Sequence, residues 1–372
     1  MEGTVTSNYL PVHLYSAVET LIQRKAVRLA GPIVDPADID ARMSLRLCAA
    51  PVATCVGSFT ERFPDGPTYF ALVDSPSPTA MIGRFTGFQC VVVSLALHDR
   101  LARMATVLLG WQPLRDYLLQ GTPPPTESGS STRSRLEAID EVYAAAGPLT
   151  AETGPLFSLI GFLGMYFIAA HEVGHLALGH LDSAQFDEGF IEEISDAVLA
   201  GNAKAASRAM EWDADVFAGA GTVWWTGFPQ VREDWAAVLP DKLAGLRAFL
   251  VTAYFLFTVM DHANPATKAP EDRTHPAPLV RATLMAVGLA AVLGGLGGIS
   301  VEEALEESRA AIRATEIALH EVAGGMMEAQ QAQALQIEFE KVGDEVSASL
   351  KGIAGGLNRD RLDFLFWAAG MK

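Results

Sequence analysis

The chain has 372 residues, 50% of them hydrophobic, which is enough for one or two domains with a large apolar core. Its 27 basic and 44 acidic residues give a formal net charge of -17. Because so acidic a protein repels phosphate backbones, we expect no nucleic-acid partner. Cys48, Cys55 and Cys90 are odd in number and lack metal-ligand spacing, so they predict reduced core thiols in a cytosolic protein.

The first third of the chain is the only part with strand character. Residues 43–48, 68–73 and 88–97 are short runs with β-branched or aromatic side chains, bounded by proline and glycine clusters. These runs predict a small sheet. A helix is predicted over residues 101–119, and the proline- and serine-rich residues 121–133 predict a mobile loop or linker.

Two long apolar segments follow the linker. Residues 153–170 and 282–300 carry no charged side chain and approach the length of a membrane span. A buried core helix explains each segment as well, because the second is rich in glycine and the first leads into a polar motif. The N-terminal residues show no basic stretch followed by an apolar run, so we expect no signal peptide. We expect a soluble, cytoplasmic protein, with an integral membrane protein as the alternative.

The motif His171-Glu172-Val173-Gly174-His175 directly follows the first apolar segment. On a helix the two histidines lie about 40° apart on one face, so both rings can bind a single ion. Glu172 lies beside that face, where it can take a proton from water. Because unpaired polar groups are costly to bury, a metal ion explains why they interrupt an apolar run. The alternative is a pair of ordinary histidines beside a solvated carboxylate.

A second helical segment, residues 209–218, contains Glu211 and Asp215. A catalytic zinc needs three protein ligands and one open position, and Glu211 can be the third ligand. Asp215, one turn later, can accept the distal N–H of a ligand histidine and fix its tautomer. Glu211 and Asp215, with Asp213 between them, could instead form a solvated acidic helix face. Ser195 is predicted to cap this helix, and residues 181–194 are predicted to form an acidic loop.

The two motifs together resemble the gluzincin metallopeptidases, in particular the family of the CAAX prenyl protease and the HtpX heat-shock protease. Those enzymes carry HExxH followed downstream by ExxxD. The resemblance, which covers residues 155–285, implies zinc bound by His171, His175 and Glu211. It further implies that Glu172 is the general base and that Asp215 supports a ligand.

A third segment, Thr274-His275-Pro276 with Arg281 five residues beyond Pro276, is similar to the His-Pro and arginine segment that follows ExxxD in those enzymes. The developing oxyanion of a peptide-hydrolysis transition state needs a donor besides zinc. His275, Arg281 or Tyr254 could supply it, and the sequence does not choose among the three.

His180 follows the second motif histidine by five residues, whereas a metzincin places its third ligand after six. It could join the metal only if the helix breaks at Gly179. Otherwise we expect it to be a hydrogen-bond partner behind the ligands or a histidine at the helix C-terminus. The Gly179-His180 pair is also similar to a segment of the Lit-type phage-exclusion peptidases, a looser resemblance.

An amphipathic helix is predicted from Val301, broken at Gly324-Gly325 and resumed to about Ser349. We expect it to pack on its own domain, with pairing to a partner chain as the alternative.

The predicted fold class is α+β, mainly α, in which a small N-terminal sheet accompanies a helical zincin-like core. The predicted divisions are an N-terminal α/β region (1–120), a linker (121–133), a helical metallopeptidase core (134–300) and C-terminal helices (301–372). The expected function is zinc-dependent hydrolysis of a peptide or protein substrate. A non-catalytic zinc-binding regulatory protein and a membrane-embedded protease are the alternatives.

Overall fold

The computed structural model describes most of the chain. The described residues are 8–25, 29, 31–59, 63, 66–124, 144, 154–182, 190–192, 202–227, 229–263, 275–296, 298–323 and 335–345. The helices, in chain order, are α1 (Tyr15–Lys25), α2 (Pro36–Ala41), α3 (Met43–Phe59), α4 (Leu95–Gly110), α5 (Gln112–Gln120), α6 (Gly154–Ala177), α7 (Asn202–Thr226), α8 (Pro229–Asp234), α9 (Ala244–Ala263), α10 (Pro278–Leu296), α11 (Val301–Ala323) and α12 (335–345). The strands are β1 (Thr68–Val73), β2 (Ala80–Phe85), β3 (Phe88–Ser94) and β4 (Phe190–Glu192). The predicted class, α+β and mainly α, is confirmed.

The four strands form one sheet in the order β1-β3-β2-β4. β3 pairs in parallel with β1 and antiparallel with β2, and β4 adds antiparallel to the far side of β2. The β2–β3 connection turns at Gly87, which has φ of +86°. Every residue of β3 is buried, as expected for a central strand covered on both faces.

The prediction of a strand over residues 43–48 is wrong, because this run opens helix α3. The alternation of Met43, Leu45 and Leu47 imitates a strand over so short a window. The longer run shows the helical period, with buried residues recurring every three or four positions at Cys48, Val52, Cys55, Val56 and Phe59.

Two further boundaries differ from the predictions. The strand predicted over residues 88–97 ends at Ser94, whose Oγ accepts a hydrogen bond from the Leu97 N–H and caps α4. The helix predicted over 101–119 is two helices that meet at Trp111, with a proline in the first turn of α5. Strand β2 was not predicted, and β4 lies within the predicted acidic loop. Ser195, Gly324, Gly325 and residues 125–133 lie outside the described part of the chain.

Helix α6 occupies the centre of the helical part of the molecule. It contacts α3, α4, α7 and α9, and its flank packs against β2 and β3. All of its residues from Leu163 to Leu176 are buried, which explains why the segment before the motif is apolar on every side. A motif at the C-terminal end of this helix therefore lies inside the protein.

Three of the described helices are long and apolar enough to cross a membrane. They are α6, residues 244–261 of α9, and α10. Only the first and the last contain the apolar segments predicted from the sequence. In their most apolar windows 78%, 94% and 56% of the residues, respectively, are buried by the rest of the protein. Helix α11 packs against α9 and α10, as expected for an amphipathic helix that covers its own core.

Candidate metal centre

The last turns of α6 carry both motif histidines on one face. The side chains of His171, Glu172 and His175 are 0%, 0% and 1% exposed. His171 Nε2 and His175 Nε2 lie 3.0 Å apart, so the two imidazoles present the same ring nitrogen to one point. This is the orientation that the four-residue spacing predicts.

Helix α7 brings Glu211 to the same point. Its Oε2 lies 3.2 Å from His171 Nε2, and its Oε1 lies 3.6 Å from His175 Nε2. Gly174 permits this approach of α6 to α7, because a Cβ there would lie 3.0 Å from Phe217 Cδ1 and 3.5 Å from Ala214 Cα. The contact between the two helices therefore assembles the group.

His171, His175 and Glu211 are a buried group that could hold a metal ion, with their ligand atoms all within 4.8 Å of one another. Two imidazole nitrogens and a carboxylate oxygen form a donor set that suits a borderline-soft divalent cation. A cation also suits the electrostatics, because it would offset the desolvation of the buried carboxylate and occupy the point on which both nitrogens converge. The residues present thus fit a metal ion.

The carboxyl of Glu211 is held in its ionised form. Burial alone would raise its pKa, but the imidazoles of His175 and His275 and the contact with His171 hold the pKa of this carboxyl well below its usual range. An ionised carboxylate is the form that binds a metal ion.

Asp215 lies behind His171. Its Oδ1 is 3.0 Å from His171 Nδ1, the ring nitrogen on the far side from the convergence point. Arg281 of α10 donates from Nε and Nη2 to the same carboxylate at 2.7 and 2.8 Å, and its guanidinium stacks 4.4 Å above the Phe257 ring. A carboxylate at this distance would favour the tautomer of His171 that carries its proton on Nδ1.

His180 lies behind His175. Helix α6 ends at Ala177, the chain turns at Gly179 with φ of +74°, and His180 Nδ1 returns to 2.9 Å from His175 Nδ1. The contact is with the nitrogen that faces away from Glu211, so His180 is placed as a hydrogen-bond partner of the group. Burial lowers the pKa of His180 to about 4, so the ring is neutral at pH 7.

Asp213 also contacts a histidine of this site, although the sequence predicted only that it lies on a solvated acidic helix face. Its Oδ2 lies 3.5 Å from His180 Nε2, on the side of the ring opposite His175. The spacing of Asp213 from Glu211 gives no hint of this contact, since the path of the chain after Gly179 decides it.

Of the three proposed oxyanion donors, His275 lies closest to the group in the contacts observed. Its Nε2 is 3.1 Å from Glu211 Oε2, and its side chain is 18% exposed against 6% for Glu211. Arg281 is engaged with Asp215, and its Nη2 lies 3.8 Å from Glu211 Oε2. The Tyr254 hydroxyl donates to Glu316 of α11.

Comparison with known proteins does not add to these motifs: no family model, no curated protein and no solved structure matches the chain. The resemblance to gluzincins therefore depends on the residues of the site themselves.

Proposed function

We propose that this protein is a zinc-dependent metallopeptidase that hydrolyses peptide bonds in peptide or protein substrates. The observation that carries the proposal is the convergence of His171, His175 and Glu211 on one buried point. Glu172 follows His171 on α6, which completes the HExxH pattern, and Asp215 follows Glu211 by four residues, which completes the ExxxD pattern.

Zinc fits this donor set best, because it takes imidazole and carboxylate ligands together and leaves a fourth position open when three protein groups bind it. A zinc ion held there would supply Lewis acidity, which lowers the pKa of water and polarises a carbonyl group. His171, His175 and Glu211 would hold it, and Asp215 and His180 would keep the two rings oriented.

Glu172 is the proposed general base. Its carboxylate takes a proton from the attacking water as the water oxygen bonds to the carbonyl carbon. When the C–N bond breaks, Glu172 returns that proton to the leaving amine. His275 is the proposed donor to the developing oxyanion, because Arg281 and Tyr254 have their hydrogen bonds with Asp215 and Glu316.

A non-catalytic zinc protein is the second candidate, and the burial of the ligands favours it. None of the three ligand side chains is more than 6% exposed, as is common in zinc sites that only stabilise a fold. The two functions share the ligands and differ in the role of Glu172.

Two variants separate the candidates. We expect the wild-type protein to hold about one zinc per chain and His175→Ala to lose it, with His13→Ala, which changes an exposed histidine, as the matched control. We expect Glu172→Gln to keep the zinc but to lose hydrolysis of a fluorogenic peptide library by about 100-fold or more, because the amide keeps the shape and removes the base.

Zinc is measured by atomic emission and hydrolysis by fluorescence, with Glu306→Gln on the exposed face of α11 as the second control. Zinc retained by His175→Ala would contradict the ligand assignment. Cleavage by Glu172→Gln at the wild-type rate would contradict the mechanism. Zinc binding without any cleavage by the wild type would support the non-catalytic candidate.

A further inference from the structure

Helix α12 packs over the beginning of α10, close to the candidate metal centre. Val342 of α12 forms a small apolar cluster with Val280 and Leu284 of α10, and Phe339 and Trp212 pack around it. This cluster is separate from the main hydrophobic core, which includes residues of β1 to β3, of α1 to α7 and of α9 to α11. The described part of α12 is eleven residues long. Because a helical segment of this length is marginal alone in water, packing against α10 stabilises it.

Two charged residues of α12 reinforce the docking. Glu345 accepts a hydrogen bond of 2.8 Å from Arg208 Nε, and the Arg208 side chain is 6% exposed. Arg208 precedes the proposed ligand Glu211 by one turn of α7. Glu338 is itself buried, and its Oε1 accepts a hydrogen bond of 3.0 Å from the Ala277 N–H.

The Ala277 contact lies at the N-terminus of α10. The chain there reads His275-Pro276-Ala277-Pro278, and the Ala277 carbonyl accepts the first helical bond from the Arg281 N–H at 2.9 Å. Because proline has no N–H, Ala277 provides the one backbone donor of residues 276–278. A carboxylate at this place also interacts favourably with the positive end of the helix dipole.

Glu338 is thus tied to the backbone two residues from His275, whose Nε2 lies 3.1 Å from Glu211 Oε2. Pro276 is the one residue between them, and its fixed φ leaves this short link few conformations. Holding Ala277 therefore restricts where the His275 ring can lie.

We propose that α12 is a clamp on the candidate active site and that Glu338 is a positioning residue, which holds His275 beside Glu211 through the Ala277 N–H. Its effect on hydrolysis rests on the proposed function, whereas its effect on the 275–281 segment does not. Release of α12 would loosen His275 and leave His171, His175 and Glu211 in place, because helices α6 and α7 carry those residues.

Hydrogen–deuterium exchange of the full chain tests the clamp, with fragmentation that resolves the Ala277 amide. We expect Glu338→Ala to speed exchange at Ala277 by about 10-fold or more, since a hydrogen bond to a charged group is lost. Glu338→Gln keeps an acceptor oxygen and is expected to restore most of the protection. Glu340→Ala, an exposed position on the same helix, is the matched control and is expected to match the wild type.

The remaining readouts separate positioning from general destabilisation. In Glu338→Ala we expect exchange in α6 and α7 and the zinc content to stay at wild-type values, while kcat for peptide hydrolysis falls about 10-fold. Glu345→Ala removes the ion pair with Arg208, the second polar contact that holds α12, and is expected to speed exchange at Ala277 as well. This variant covers the case in which Glu338→Ala does not fold.

Wild-type exchange at Ala277 in both Glu338→Ala and Glu345→Ala would overturn the clamp, as would equal effects of Glu338→Ala and Glu340→Ala. If the wild-type protein cleaves nothing, the proposed function fails, and the exchange rates still decide whether α12 holds the segment.

Discussion

His171 and His175 differ in the groups that support them. His171 Nδ1 faces the carboxylate of Asp215, and Arg281 balances the charge of that carboxylate. His175 Nδ1 faces the neutral ring of His180. A carboxylate raises the basicity of a ligand imidazole and fixes its tautomer. We infer that His171 is the better oriented of the two proposed zinc ligands.

We expect Asp215→Asn to weaken zinc binding by about 10- to 100-fold, because the amide no longer presents a charged acceptor to His171. Asp213→Asn is the matched control: it makes the same change on the same helix, at a carboxylate 3.5 Å from His180 Nε2. Its loss should be smaller, because it acts on a ligand only through His180. Competition with a fluorescent zinc chelator measures both affinities, and equal losses would count against the role given to Asp215.

The sequence correctly predicted which site residues share a face where both residues lie on one helix. His171 and His175 share a face because four residues make about one turn, and the same holds for Glu211 and Asp215. The contact of Arg281 with Asp215 was not predicted, and Arg281 was instead proposed as an oxyanion donor. It depends on how α7 and α10 cross, and neither helix encodes that crossing in its own periodicity.

The crossing of α7 and α10 depends on a glycine. A Cβ at Gly288 would lie 2.5 Å from Val216 Cγ2 and 2.7 Å from Trp212 Cζ2. The Trp212 Nε1–H also donates to the Leu284 carbonyl of α10 at 2.9 Å, so the indole has little room to move. The close approach brings Arg281 to Asp215.

We therefore expect Gly288→Ala to destabilise the protein by about 1–3 kcal/mol, the usual range for overpacking. Gly295→Ala on the same helix is the matched control. Among the described residues, no atom beyond the neighbouring backbone of its own helix lies within 4 Å of a Cβ at Gly295, so alanine there should be neutral or stabilise by up to about 1 kcal/mol. Urea unfolding followed by circular dichroism gives both values. A Gly288→Ala protein as stable as Gly295→Ala would show that the helices are not tightly packed at this point.

The length of a helix or strand decided whether it could be predicted from the sequence. The apolar segments that became α6 and α10 are long enough to leave no doubt about a helix. The six residues of 43–48 fit both periods, and only the buried positions further along α3 distinguish them. Strand β4 has three residues and exists because β2 offers an edge for it, which local sequence does not reveal.

For the molecule as a whole, the three apolar helices raise the question of compartment. In α6 and α9 most of the apolar window is buried by the rest of the protein. In α10 only 56% of the window is buried, which leaves 44% at least partly exposed. Val287 of α10 is 50% exposed, and Val301, at the start of α11, is 45% exposed. Helix α10 is therefore the least covered of the three apolar helices.

We propose a soluble protein, because α6 leads into a site that needs water and the chain has few basic residues to anchor a span. The expected result of fractionation without detergent is recovery in the supernatant. Recovery only in a carbonate-resistant, detergent-soluble membrane pellet would instead support the membrane-embedded alternative. In that case Val287→Lys, which places a charge on the exposed face of α10, should shift the protein out of the pellet.

The placement of the three proposed ligands on two helices makes metal supply a factor in folding. A zinc ion bound by α6 and α7 would cross-link them and close the chain between His175 and Glu211 into a loop. Each tenfold rise in free zinc above its dissociation constant would then stabilise the native state by about 1.4 kcal/mol. In a zinc-poor compartment the same chain would lose stability together with activity. Cells that cannot supply zinc to it would therefore degrade it faster.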